Sequence, residues 1–211
     1  WGHDVWSTGD KFGRDTYGCP PQSYGDLAFV QHMLASLKED GMLGVVLPHG
    51  ILFRGGAEAK IRKGLLEDDL IDAVIGLGPN LFYGAGIPAC ILIIRRNKPA
   101  ERKGKVLVIN GTQELVEGKA QNFLTDTNLK RFTDAFTDFK NQDRFARVVA
   151  LDEIRDNDHN LNISRYVSTD EDEAETDVAA EVVKLNALRQ QRDEAEAKMM
   201  GFLKELGYED S

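Results

Sequence analysis

The densest hydrophobic patterning lies between residues 40 and 96, DGMLGVVLPHGILFRGGAEAKIRKGLLEDDLIDAVIGLGPNLFYGAGIPACILIIRR. Residues 42–47 are a short apolar run stopped by Pro48, the pattern of a strand buried on both faces. Gly55 and Gly56 supply a flexible turn. Over 57–70, Ile61, Leu65 and Leu66 share one face, with Lys60, Arg62, Lys63 and Glu67 on the others, which predicts an amphipathic helix. Residues 71–77 and 89–94 are two further apolar runs. Two parallel strands joined by a helix make a right-handed βαβ unit. The connection GLGPNLFYGAGIP is too irregular for a helix, so the run at 89–94 is expected to return antiparallel.

The flanking patterns are weaker. Residues 1–25 show no capped helix and no clear strand, yet hold two Trp and two Tyr. A structureless stretch of that length is uncommon in a compact domain unless it is functional or mobile. A start at Trp1 rather than Met suggests a piece of a longer chain. Ser23 and Asp26 have capping-box spacing ahead of a helix carrying Leu27, Val30, Leu34 and Leu37, stopped by Gly41. Residues 105–110, KVLVIN, read as a strand at the sheet edge, and 111–118 as turn. Leu129, Phe132, Phe136 and Phe139 give 125–139 a helical core stripe. A short strand is expected at 147–151. Residues 156–167, DNDHNLNISRYV, have the composition of a surface loop with two apolar anchors, Leu161 and Ile163. From 176 to 206, Val178, Val182, Leu185, Leu188, Ala195, Met199, Phe202 and Leu206 recur near a seven-residue rhythm broken by Arg192. This reads as a two-helix packing arm or coiled coil ended by Gly207, its stripe covered by a partner or by its own domain.

Composition adds bounds. The 211 residues suit one domain plus an appendage, and 42% hydrophobic with 29% charged residues is ordinary for a soluble globular protein. No apolar run reaches transmembrane length and no signal-peptide pattern opens the chain, so a cytoplasmic setting without membrane contact is expected. Cys19 and Cys90 make no disulfide framework. A net charge of −9 argues against whole-surface binding to nucleic acid. Arg95, Arg96, Lys98, Arg102, Lys103 and Lys105 nevertheless cluster, opposed only by Glu101. They are either a solvated strand exit or an edge that contacts DNA phosphates through Arg95, Arg96 and Lys98.

Candidate chemistry is sparse. His3, His32, His49 and His159 are scattered without zinc-site spacing, and no metal site is expected. Gly76-Leu77-Gly78 lacks the third glycine of a dinucleotide loop and leads into Pro79, so it reads as a turn. Phe82 and Tyr83 lie beyond a strand end between glycines, where neither helix nor strand core needs an aromatic. Adjacent aromatics there can form a stacking surface for a flat ligand such as a base, one packed inward and one facing the site.

The segment LPHGILFRGGAEAKIRKGLLEDDLIDAVIGLGPNLFYGAGIPACILIIRRNK, followed by HNLNISRYV and a terminal helix, resembles the modification (M) subunit of type I restriction-modification systems. The resemblance implies an N6-adenine DNA methyltransferase using S-adenosylmethionine. It also implies a doubly wound, Rossmann-like α/β fold, of which this chain holds the C-terminal part and a helical arm. The family's cofactor loop and Asn/Asp-Pro-Pro-aromatic catalytic motif belong to the first half. The Pro-Pro here, in Cys19-Pro20-Pro21-Gln22, lacks the flanking residues. The resemblance therefore puts no catalytic residue in this chain and leaves its cofactor contacts unassigned. It makes Phe82, and secondarily Tyr83, the aromatic that stacks on the flipped adenine. The adenine amino group is a weak nucleophile, so a flipped base must be gripped while acceptors align its nitrogen for in-line attack on the methyl carbon.

The expected divisions are an active-site-flanking loop at 1–25, methyltransferase sheet at 26–150, a linker at 151–175 and the arm at 176–211. Expected partners are DNA, the specificity (S) subunit docked on the arm, and the restriction (R) subunit. An incomplete sheet also leaves an edge through which the chain could form a homodimer. The competing reading is a non-catalytic interaction module that holds partner subunits or DNA backbone.

Overall fold

The computed structural model describes residues 1–7, 9–168 and 178–206. They fall into two units, Trp1–Thr169 and Asp170–Ser211. The first is built on five strands: β1 (Met42–Pro48), β2 (Ile71–Leu77), β3 (Ala89–Arg95), β4 (Lys105–Gly111) and β5 (Ala146–Ala150). Their order is β1-β3-β2-β4-β5. The strand at 89–94 does return antiparallel, and it enters the sheet between β1 and β2, pairing antiparallel with both. β1 and β2 thus point the same way without touching. β2 pairs parallel with β4, and β4 antiparallel with β5.

Strand order corrects two expectations. β1 was expected to be buried on both faces. With β3 inserted beside β2, β1 is displaced to the sheet edge, where only Leu47 is fully buried and Met42 and Val46 are exposed. The run at 105–110 was expected at an edge. β4 instead lies between β2 and β5 and is buried from Val106 onward. β2 is buried along its whole length.

Alternation sorts the central strands onto two faces. Val74, Cys90, Leu92, Ile94, Val106 and Val108 join one core with Leu27, Val30 and Leu34 of helix α2 (Asp26–Ser36), Ile61, Leu65 and Leu66 of α3 (Gly56–Glu67), and Ile154 of α5 (Leu151–Asp156). Ala73, Ile75, Leu77, Leu107 and Ile109 join the other with Phe132 and Ala135 of α4 (Asp126–Asp138). Each such Val, Leu, Ile or Phe side chain contributes roughly 1.5–3 kcal/mol of burial.

Several ends differ from expectation. The Ser23–Asp26 capping box does not form, because the chain enters α2 through Gly25 with no side-chain cap. That helix stops at Ser36 rather than at Gly41. α3 ends at Glu67, three residues short of the expected end, because Asp69 takes a left-handed conformation with φ 54°. Thr125 and Asn128 make the capping box of α4, whose expected core stripe is buried at Phe132 but exposed at Leu129. Residues 1–25 contain a short helix, α1 (His3–Ser7), and are anchored: Gln31 accepts from the Tyr17 amide and donates to the Gly18 carbonyl.

The segment 156–167 is a strap over the first core rather than a surface loop. Leu161, Ile163, Tyr166 and Val167 are all buried in it. The second unit contains α6 (Val178–Glu205), a continuous helix over the stretch where the apolar rhythm runs, with Leu185, Leu188, Met199 and Phe202 exposed. The expected helix start at 176 and stop at Gly207 lie outside the described residues.

Candidate functional site

Three strands, β1, β2 and β4, end at the same edge of the sheet, because β1 and β2 both oppose β3 and β2 is parallel to β4. Ligands of α/β sheets gather outside such carboxyl ends. Here each strand runs into a segment bearing exposed apolar side chains. β1 leads to Phe53, β2 to Phe82, Tyr83 and Ile87, and β4 to Val116 and Phe123. Phe82 is 40% exposed and Tyr83 94%. Neither is packed inward, in contrast to the expectation that one would be. The turn that presents them closes through an Ala85 amide bond to the Phe82 carbonyl, with Gly84 at φ 71°.

Phe82 lines a cleft of about 460 Å³ with Leu77, Leu81, Gln121, Asn122, Phe123 and Leu124. Its far wall comes from the long connection after β4. Gly78 explains how the two loops come so close. A Cβ there would stand 2.6 Å from the Thr112 carbonyl oxygen and collide with Leu115. Gly78 is therefore a packing requirement, and Gly76 sits close against the Ile163 side chain.

His49, set aside with the other histidines on sequence grounds, begins the 3-10 turn after β1 at this edge. Burial pushes its imidazole toward the neutral form, and its Nε2 is buried without a hydrogen-bond partner. Arg54, at the same edge, bonds to Asp26 and Glu58 and lies 4.5 Å over the Tyr24 ring. These contacts tie the end of the 1–25 segment to the turn.

The basic cluster is elsewhere. Arg95 ends β3 opposite Met42, at the far edge of the sheet. Seven residues of β3 separate it from the aromatic edge, about 20 Å at strand spacing. Its members are also engaged within the fold. Lys98 is 4% exposed, its ammonium bonded to Asp69 and the Lys105 carbonyl. Arg95 faces buried Asp72 at 3.3 Å, and Arg96 donates to the Leu34 carbonyl. Lys98 is thereby removed from any phosphate-contacting edge, and Arg95 and Arg96 are not brought together with Phe82 and Tyr83. A second cleft, of about 390 Å³, also lies at the far edge, where the Tyr17 hydroxyl lining it is already bonded to Asp68.

The N-6 DNA methylase family profile matches residues 1–175. The chain belongs to this family. Among N-6 DNA methylase relatives, the type I restriction enzyme MjaVIII methylase subunit of Methanocaldococcus jannaschii is 42% identical, over 90% of this chain and 33% of its own length. The MpnII methylase subunit of Mycoplasma pneumoniae is 35% identical, over 78% of this chain and 30% of its own. The crystal structure of a type I restriction-modification methyltransferase subunit from Streptococcus thermophilus superposes with a TM-score of 0.74 at 38% identity, covering 80% of this chain and 36% of that one. The chain thus spans about a third of the length of these relatives. The resemblance to type I M subunits, and a mixed α/β fold shared with them, are both shown.

Proposed function

We propose that this chain is the C-terminal part of a type I modification subunit, which transfers a methyl group from S-adenosylmethionine to N6 of adenine in DNA. In this reading the sheet is the later portion of a Rossmann-like sheet, and the open outer edge of β1 is where the rest of the subunit continues it. The observation that carries the proposal is Phe82, an exposed aromatic lining a cleft at the carboxyl edge of the parallel strands, in an N-6 DNA methylase. Its ring is available to a flat ligand, and base–aromatic stacking is worth roughly 1–3 kcal/mol. Tyr83, further out, is the secondary contact.

In this reading the described residues supply walls of the base pocket rather than the groups that act on the reacting nitrogen. The one Pro-Pro pair lacks an amide or acid before it, so the family's catalytic tetrapeptide is not found in this sequence. In this reading the cofactor loop belongs to the part of the subunit that this chain does not span, and Gly78, packed against Thr112 and Leu115, is not assigned to it. We therefore assign no step of methyl transfer to this piece alone. Isothermal titration of the chain with micromolar S-adenosylmethionine should give no binding heat. DNA phosphates would be held by other parts of the assembly, and the exposed apolar row of α6 suits docking on a specificity subunit.

The deciding experiment is Phe82→Ala in the complete subunit with its partners. Single-turnover methyl transfer should fall at least tenfold while the melting temperature stays within a few degrees. An unchanged rate with a large loss of melting temperature would make Phe82 a core residue and remove the proposal's support.

A further inference from the structure

Phe123 has no evident role in the fold. It lies in the connection between β4 and α4, and the residue is 51% exposed. Yet its backbone is firmly placed. It exchanges two hydrogen bonds with Val116, at 2.9 and 3.0 Å, in an isolated antiparallel bridge. The residues before it are fastened to the Phe82 loop by three more bonds. The Asn122 amide donates to the Asn80 carbonyl at 2.8 Å. The Asn122 side chain donates to the Pro79 carbonyl at 3.0 Å, and Gln121 to the Leu81 carbonyl at 2.6 Å. The two loops thus form a pre-set pair, each presenting one phenylalanine to the same cleft.

We propose that Phe123 is the second wall of the base pocket, so that an extruded purine enters between the Phe82 and Phe123 loops. This rests on the reading of the aromatic edge as the adenine site. The occupant follows from the lining. Two aromatic rings and three leucines offer flat and apolar contact. The side-chain amides of Gln121 and Asn122 each donate to a backbone carbonyl of the Phe82 loop and so hold the two loops together. The cleft volume of about 460 Å³ lies within the ordinary range for small-molecule sites. A pocket of this make-up grips any purine by its faces and leaves the choice of adenine to the groups that meet its amino nitrogen.

The test uses the full 211-residue chain and adenosine as the probe, at millimolar concentration, read by saturation-transfer difference NMR. Adenosine should receive saturation from the wild-type chain. Phe123→Leu, which keeps apolar volume and removes the aromatic face, should weaken binding about five- to a hundredfold, as should Phe82→Leu. Phe123→Tyr should bind like wild type. Because the residue is half exposed, circular dichroism melts of all three should match wild type closely. If Phe82→Leu loses binding and Phe123→Leu does not, the second wall is refuted while the adenine site stands. If neither substitution changes binding, or adenosine receives no saturation, both ideas fail.

Discussion

Replacing Arg62 with methionine should destabilise the first unit by about 3 kcal/mol. Arg62 is 4% exposed, on the buried side of α3. Its Nε donates to the His159 carbonyl at 2.8 Å, and its Nη1 to the Ile51 and Arg54 carbonyls at 3.0 Å each. One guanidinium therefore joins the turn after β1 to the strap over the core. Hydrogen bonds from a charged donor are worth about 1.5–3 kcal/mol each, but these three share one group and are not additive. Methionine keeps the apolar stem and removes the cost of burying a charge, which offsets part of the loss. Urea denaturation at neutral pH should show the difference, and the melting temperature should drop by roughly 6–12 °C for a unit of this size. Amide exchange should quicken most at Leu161, whose N–H donates to the Leu52 carbonyl across the same junction. Lys63→Met, one residue on and exposed, is the control and should change stability by less than about 0.5 kcal/mol. If Arg62→Met is as mild as that control, the guanidinium is not the fastening that the geometry implies.

Gly78→Ala should cost about 1–3 kcal/mol in urea titrations, because its methyl would meet the fixed Thr112 carbonyl as well as the more yielding Leu115 side chain. The same substitution should weaken adenosine binding by pushing the Phe123 loop away from Phe82. Glu67 should give the protein a distinct acid response. Hydrogen bonds from Arg155, and next from His159, hold its carboxyl near pKa 2 against an ordinary 4.5. A carboxyl depressed on folding contributes stability that is complete above its unfolded pKa and is lost as pH falls through its folded one. Urea midpoints should therefore decline between pH 4.5 and about 2, and Glu67→Gln should flatten that stretch.

The strands were legible because their apolar runs are long and cleanly bounded. β2, β3 and β5 occur where the pattern places them, and β3 runs antiparallel as the irregular connection before it requires. What the pattern does not carry is order across the sheet. An apolar run fits a central strand and an edge strand equally, so β1 and β4 were assigned each other's exposure. Arg62 was misread for a related reason. Helical periodicity alone puts it on an outer face, but the strap from residues 156–167 supplies one carbonyl and the turn after β1 two more for a buried guanidinium. Lys98 likewise counts as surface charge until Asp69, 29 positions earlier, meets it. At the candidate site, Phe82 and Tyr83 stood out because aromatics flanked by glycines are not needed by a strand end. Phe123 did not, since GKAQNFL carries no periodic or turn signal that separates a site aromatic from a core one. Only the bonds from Gln121 and Asn122 to the other loop mark it.

The insertion of β3 gives the sheet two unlike ends. At the far edge, charged groups are buried in ion pairs, with Asp72 Oδ1 and Arg95 Nε left without a hydrogen bond. Asp72 is fully buried between Arg95 and Arg102, and Arg102 also donates to the Phe136 carbonyl while lying 4.4 Å over the Phe139 ring. Asp69 receives Lys98 and the Gly104 amide. Removing one member of such a set leaves a charge stranded, so this edge tolerates little movement. At the other edge, the exposed groups are apolar and the hydrogen bonds belong to loops. A surface with unmatched aromatics is a poor solution for stability alone, since burying them would be favourable by about 1.5–3 kcal/mol apiece. Their exposure is reasonable if another molecule covers them. β3 spans both ends, with Ala89 at the aromatic edge and Arg95 among the ion pairs. Of the cationic cluster that suggested a DNA contact, Arg95, Lys98 and Arg102 are held in ion pairs within the fold, while Arg96 and Lys103 stay exposed.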